Sequence, residues 1–447
     1  MTSTIAPGPG CRFANTCMTM AFLTLFLTGC AGLHQNTATI EKDVHPATAA
    51  QELPDHQLLD VAIKVFDPGS LPEDQDERSG LSEEIRMAEA DFIPVHLKYT
   101  LQRSGFWGAV WVVPDDTEDA DLMVRGSIRW SDGEKLVIHV RAVDSRNVTW
   151  LDRTYSETCL PHEQKDVEPG KKDAFQDLYN AILNDLVAFR NGLRPEEIAA
   201  IRTMTLLRYA SSISPEPFNR YIIKDGDGRF AITRLPARND PMMQRVNAIR
   251  ARDELLMDTL TGLYDNYYLQ LWEPYQNWRR FRAEELRTMH QIEHDAFVRQ
   301  AMGFAAILGA VALGAISDQD VQRTIDPIRG IMAAGGTAAI YSGMQMRKET
   351  KMNKEVIEEL GESFASESKP LVLEVNGETV RLTGTAKEQF ARWRQMLRQI
   401  YRSETGLDQG LPVIIGLEEP VADSSGSSLQ PTLETERSKE SGNAPNE

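Results

Sequence analysis

The chain has 447 residues, 41% hydrophobic and 26% charged, with 66 acidic against 48 basic residues and a formal net charge of -18. Such a chain buries a sizeable core, spread by its length over about two to four domains. It lacks the broad positive field that draws proteins onto phosphate backbones, which excludes nucleic acid as an expected partner.

The first informative stretch is "CMTMAFLTLFLTGCAG", a short apolar run ending in small residues, the layout of an export signal. Its apolar part, Ala21 to Leu27, is far shorter than the roughly 20 residues that cross a bilayer. Leu27-Thr28-Gly29-Cys30 resembles the lipobox of bacterial lipoproteins. The resemblance implies removal of residues 1–29 as a signal peptide, a diacylglycerol on the Cys30 sulfur and an acyl chain on the new amino group. At about 0.8 kcal/mol per buried methylene, several such chains anchor stably. No other cofactor is expected. Ala31 stands where lipoproteins kept in the inner membrane often carry aspartate, so the resemblance implies the outer membrane, with the acidic body facing the periplasm or exposed at the cell surface. Cys11 and Cys17 would leave with the signal and Cys30 would be acylated; Cys159 then stands alone, and no intrachain disulfide is expected.

Residues 30–56 show no apolar periodicity and read as a flexible tether. Residues 57–192 read as an α/β sandwich. "LLDVAIKVF" is a strand, and a helix runs from the N-cap candidate Ser82 to Gly105, with Ile85, Ala88, Phe92, Val95 and Leu101 at helical spacing and Pro94 as a kink. Four strands follow, the last three joined by "SDG" and "DSRN" turns. Leu136, Ile138, Val140 and Ala142 alternate with Lys135, Val137, His139 and Arg141, giving one apolar and one mixed sheet face. A helix ending at Gly192 closes the unit. With its helix before "WGAVWVVP" and its strand opening "ADLMVRGSI", this region resembles the small N-terminal domain of TolB and the related domain of the curli secretion lipoprotein, which implies a similar sandwich.

Residues 193–299 read as a helical domain interrupted by a hairpin about Asp225 to Gly228. In its long helix Tyr264, Tyr268, Leu271, Tyr275 and Trp278 share one face, which suits helix packing better than stacking on sugar rings. Two uncharged runs then form a helical hairpin over 300–346. Small residues recur four apart through Ala305 and Gly309, at Gly314, and through Gly335, Ala339 and Gly343, which lets two backbones approach closely. The run Ala301 to Ile316 reaches only about 24 Å as a helix, short of a hydrocarbon core of about 30 Å. A packed hairpin is therefore expected, within one chain or in a homo-oligomer, with membrane insertion after assembly as the alternative. Residues 347–406 read as a charged helix, a β-hairpin turning at "NG" and an amphipathic helix, and 407–447 as a disordered acidic tail. The class is α+β.

His290-Gln-Ile-Glu293-His294 resembles the H-x-x-E-H zinc motif of inverzincin peptidases, in which the histidines share a metal and the glutamate activates water. No third ligand is marked nearby, and a solvated helix face explains the same residues, so no metal is expected. Asp225 and Asp227 read as a turn rather than a calcium loop, and Cys159 near His162 has no orienting third partner. No catalytic residue is assigned. The leading reading is a lipid-anchored outer-membrane lipoprotein, a non-enzymatic scaffold or assembly factor whose partners are the membrane and other envelope proteins. The alternatives are a membrane-inserting oligomeric secretion or pore subunit using the 300–346 hairpin, and a zinc-dependent hydrolase using residues 290–294.

Overall fold

The computed structural model describes residues 37–73, 81–159, 167–312, 351–352, 354–362, 371–375 and 378–406, with side chains throughout except along 288–312 and 371–380. The fold is α+β. A six-stranded sheet runs in the order β1-β6-β5-β4-β2-β3: β1 (Thr37–Thr39), β2 (Leu59–Lys64), β3 (Trp107–Val113), β4 (Leu122–Ser131), β5 (Lys135–Asp144) and β6 (Thr149–Thr158). Strand β2 pairs in parallel with β3 and β4, β4 to β6 form an antiparallel meander, and β1 adds in parallel to β6. Helix α1 (Glu83–Ser104) makes the crossover from β2 to β3. The Ser82 hydroxyl accepts from the Ile85 amide at its start, and Gly105, at φ 74°, ends it in the left-handed conformation that a Cβ disfavours.

Pro94 sits inside α1 without breaking it. A proline there has no N–H for the carbonyl of Ala90, and the chain supplies another donor: the Phe66 amide, at 2.9 Å. The residue that weakens the helix thereby ties it to the end of β2. The Phe66 ring in turn lies over Gly126 of β4, where a Cβ would stand 2.3 Å from it.

Helix α1 is buried on two sides. Ala90, Ile93, Leu97 and Leu101 join a core with Leu59, Val61, Ile63, Val124 and Ile138 of the sheet and with α2 (Gln176–Asn191). Ile85, Ala88, Phe92 and Val95 join a second core, with Tyr268, Leu271, Trp272 and Tyr275 of the long helix α5 (Pro241–Ala312). Of the five positions that the periodicity marks as one face, four join the core shared with α5 and only Leu101 joins the sheet core. The alternation in β5 is borne out: Leu136, Ile138, Val140 and Ala142 are buried, while Lys135 and Arg141 are exposed.

Three expectations change. The tether over 30–56 does not extend through residues 37–49, which are built into the domain: β1 pairs with β6, and the Asp43, Val44 and Ala47 amides donate to Asp177 and Asn184 of α2. Backbone donors with good partners nearby are satisfied there rather than left to solvent. The boundary at 192/193 is a corner inside shared cores, because α3 (Pro195–Ile213) places Ile198 and Ile201 in the sheet core and Leu207, Tyr209 and Ile213 in the helical one. The boundary at 299/300 falls within α5, whose backbone is helical from Pro241 to Ala312. The rest of the expected hairpin, 313–346 with Gly314, Gly335, Ala339 and Gly343, lies outside the described residues.

A short helix α4 (Pro215–Phe218) leads to the hairpin β7 (Ile222–Lys224) and β8 (Phe230–Ile232). Asp225 accepts at its turn from the Asp227 and Arg229 amides, as the turn reading requires. Strands β9 (Leu371–Val375) and β10 (Glu378–Leu382) pair antiparallel in the register a two-residue Asn-Gly loop demands. Helix α6 (Ala386–Thr405) opens with a Thr385–Glu388 capping box and buries Phe390, Trp393, Leu397, Ile400 and Tyr401 against α3 and α5. The β3 edge of the sheet is covered by α5: the Thr261 hydroxyl accepts from the Val112 amide at 3.1 Å, and Trp111 donates to Asp258 at 2.7 Å.

Candidate functional site

Where α1 ends, α2 begins and the N-terminal arm crosses both, a half-open cleft of about 560 Å³ remains. The arm contributes Asp43 to Pro46 and Thr48, α1 contributes Thr100, Arg103 and Ser104, and the remainder comes from Glu157, residues 171–174 and the first turns of α2. Along its walls, side chains satisfy backbone donors of the arm and of α2 and one backbone carbonyl. The arm amides are taken by Asp177, the α2 amide of Leu178 by Glu157 at 2.8 Å, and the Val44 carbonyl by Asn180 at 2.7 Å.

Behind the cleft lies His96, fully buried. The Gly170 amide donates to the Tyr268 hydroxyl oxygen at 2.9 Å, which leaves the Tyr268 proton for His96 Nδ1, also at 2.9 Å. His96 Nε2 then carries the ring proton and donates to Gln176 Oε1 at 2.9 Å. The Gln176 amide group donates onward to Thr100 and Asn180. Both ring nitrogens are occupied, and burial holds the imidazole pKa below its ordinary value, so the ring is neutral.

Next to it Asp173 and Arg279, buried at 0% and 1% side-chain exposure, form a two-pronged pair at 3.0 and 2.5 Å. Burial alone would raise the Asp173 pKa; the Arg279 guanidinium and the Phe175 amide outweigh it and bring it to about 2. Arg279 also lies 4.4 Å from the centre of the Tyr275 ring. The Tyr275 hydroxyl donates to Glu89 at 2.6 Å, and Ser131 donates to the same carboxylate oxygen at 2.5 Å. Burial pushes the Glu89 carboxyl upward, opposed by those two hydroxyls. Lys98 reaches both oxygens of Asp265 at 2.6 and 2.7 Å. The bonds of Tyr268, Asp265, Tyr275 and Arg279 join α5 to α1 or to the loop before α2, and the Ser131 bond ties Glu89 of α1 to the sheet.

The sequence-marked residues lie elsewhere. Leu27, Thr28, Gly29 and Cys30 are outside the described residues. His290, Glu293 and His294 lie in the backbone of α5, one helical turn between the histidines, with Ala305 and Gly309 further along the same helix. Among the described residues no group of three or more metal-binding side chains comes together, and no helix is long and apolar enough to cross a membrane. Cys159 is buried, its amide bonded to the Glu134 carbonyl. No protein-family description, curated protein or solved structure matches the chain.

The cleft and the network behind it escaped the sequence reading, although one signal pointed there. Glu89, His96 and Lys98 interrupt the apolar pattern of α1, and buried polar groups on a helix covered on two sides need internal partners.

Proposed function

We propose that this protein is a lipid-anchored lipoprotein of the outer membrane that serves as a non-enzymatic scaffold or assembly factor in an envelope complex. The observation that carries this reading is the use made of the buried charges. Asp173, Arg279, Glu89, Lys98 and His96 all serve to hold one 72-residue helix to the sheet domain. At 1.5 Å per residue that helix spans about 108 Å, a long member suited to presenting surfaces to partners.

An anchor at Cys30 gives the scaffold a defined height. Six residues, seven chain steps, separate Cys30 from Thr37, where the chain enters the sheet. Fully extended they span about 25 Å, so the body stays close to the lipid surface. Labelling cells with a fatty-acid analogue tests the anchor: label is expected on the native chain and absent from Cys30→Ala, and label persisting on the alanine variant refutes it. Crosslinking in intact cells tests the scaffold, with discrete envelope-protein adducts expected on the native chain and lost when Cys30→Ala mislocalises it.

A further inference from the structure

Helix α6 reverses the charge of the chain that carries it. Lys387, Arg392, Arg394, Arg398 and Arg402 stand against Glu388 and Glu404 alone, in a protein of net charge -18. Arg394, Arg398 and Arg402 follow one another at intervals of four, a spacing at which like charges repel and weaken a helix. Arg394 has an internal reason to be there, pairing with the buried Asp253 at 3.1 Å. Arg402 does not, and Arg398 feels only the longer-range attraction of the same Asp253: among the described residues neither guanidinium group has a hydrogen bond or ion pair, and neither does that of Arg245, which approaches Tyr401 from α5. The nearby carboxylate of Glu404 is engaged with Arg252 of α5 at 3.8 Å.

The chain continues from this helix for 41 residues beyond Gly406. From Leu407 to Glu436 that tail has six carboxylates and no basic residue, with Glu418, Glu419 and Asp423 grouped. We propose that the segment Glu418 to Asp423 of the chain's own tail docks on the arginine row of Arg398 and Arg402 with Arg245. Reach is ample. Arg398 lies about 12 Å back along the helix from Gly406, whereas the twelve residues from Gly406 to Glu418 extend to about 40 Å. Tethering makes the encounter intramolecular, so individually weak surface pairs act together.

Arginine-selective labelling with phenylglyoxal, read residue by residue by mass spectrometry on the full chain, tests this. Arg398 and Arg402 are expected to label about fivefold more slowly in the native protein than in a variant carrying Glu418→Gln, Glu419→Gln and Asp423→Asn, with exposed Arg392 labelling equally in both. About 1 M salt should abolish the difference. These substitutions lie outside the described fold, so loss of protection reports docking rather than unfolding. Equal labelling of Arg398 and Arg402 in the two proteins overturns the proposal. Protection that survives the triple substitution but yields to salt assigns the row to another anion and also overturns it. Protection that grows with protein concentration assigns it to the tail of a second copy, with the same consequence for docking within one chain.

Discussion

The two buried sides of α1 do different jobs with different chemistry. Toward the sheet it presents Ala90, Ile93, Leu97 and Leu101, aliphatic side chains whose attraction is non-directional and whose arrangement tolerates small slips. Toward α5 it presents Phe92, stacked among Tyr268, Trp272 and Tyr275 with ring centres 4.6 to 5.9 Å apart, and flanks it with Glu89, His96 and Lys98, each bonded to a named partner. Hydrogen bonds and ion pairs have fixed lengths and directions, so one turn of displacement along α5 would break all three at once. The aliphatic side supplies stability; the polar aromatic side selects a single register for the long helix.

The most damaging way to break that contrast is to leave one charge without its partner. Arg279→Met strands the fully buried Asp173 and should cost about 3–5 kcal/mol in urea unfolding. Combining it with Asp173→Leu should recover most of that loss, because two apolar groups carry no desolvation penalty. A single-substitution loss below about 1 kcal/mol would mean the pair does not fix the register.

On the opposite side, Leu97→Ala should cost about 2–5 kcal/mol through lost burial and a cavity. It should leave the α1–α5 contacts intact, so that engineered cysteines facing across Phe92 and Trp272 crosslink as in the parent protein. A changed crosslinking pattern would show that the aliphatic side also sets register.

The smallest expected effect concerns pH. Burial lowers the His96 pKa, and the unfolded chain, near 6.5, takes up the proton first as pH falls. Stability contributed by neutral His96 is therefore complete above about pH 6.5 and is lost as pH falls below it toward the depressed folded value. Glu89 and Asp119, both raised by burial, act in the opposite sense. The informative measurement is the difference in melting temperature between native protein and His96→Gln, which should shrink on acidification from about pH 7.5 to about pH 5. A constant difference over that range would show that His96 does not titrate with unfolding.

Local patterns in the sequence determined a good deal by themselves. The ends of α1, the amphipathic character of α6, the alternation in β5, the Asp225 turn and the burial of Tyr264, Tyr268, Tyr275 and Trp278 were legible because caps, turns and amphipathic periods depend on neighbours a few residues away. The partner of each apolar stripe was decided only by the tertiary structure. Periodicity shows that Phe92 and Leu101 are buried; it does not say which meets a sheet and which meets a helix more than 150 residues later. The same holds for the arm. Residues 37–49 have no pattern of their own, and their order comes from Asp177 and Asn184, far along the chain. The His96–Asp173–Arg279 network was illegible for the same physical reason. A buried charge is tolerable only with a partner, and here that partner, separated by 106 residues between Asp173 and Arg279, exists only once the chain has folded.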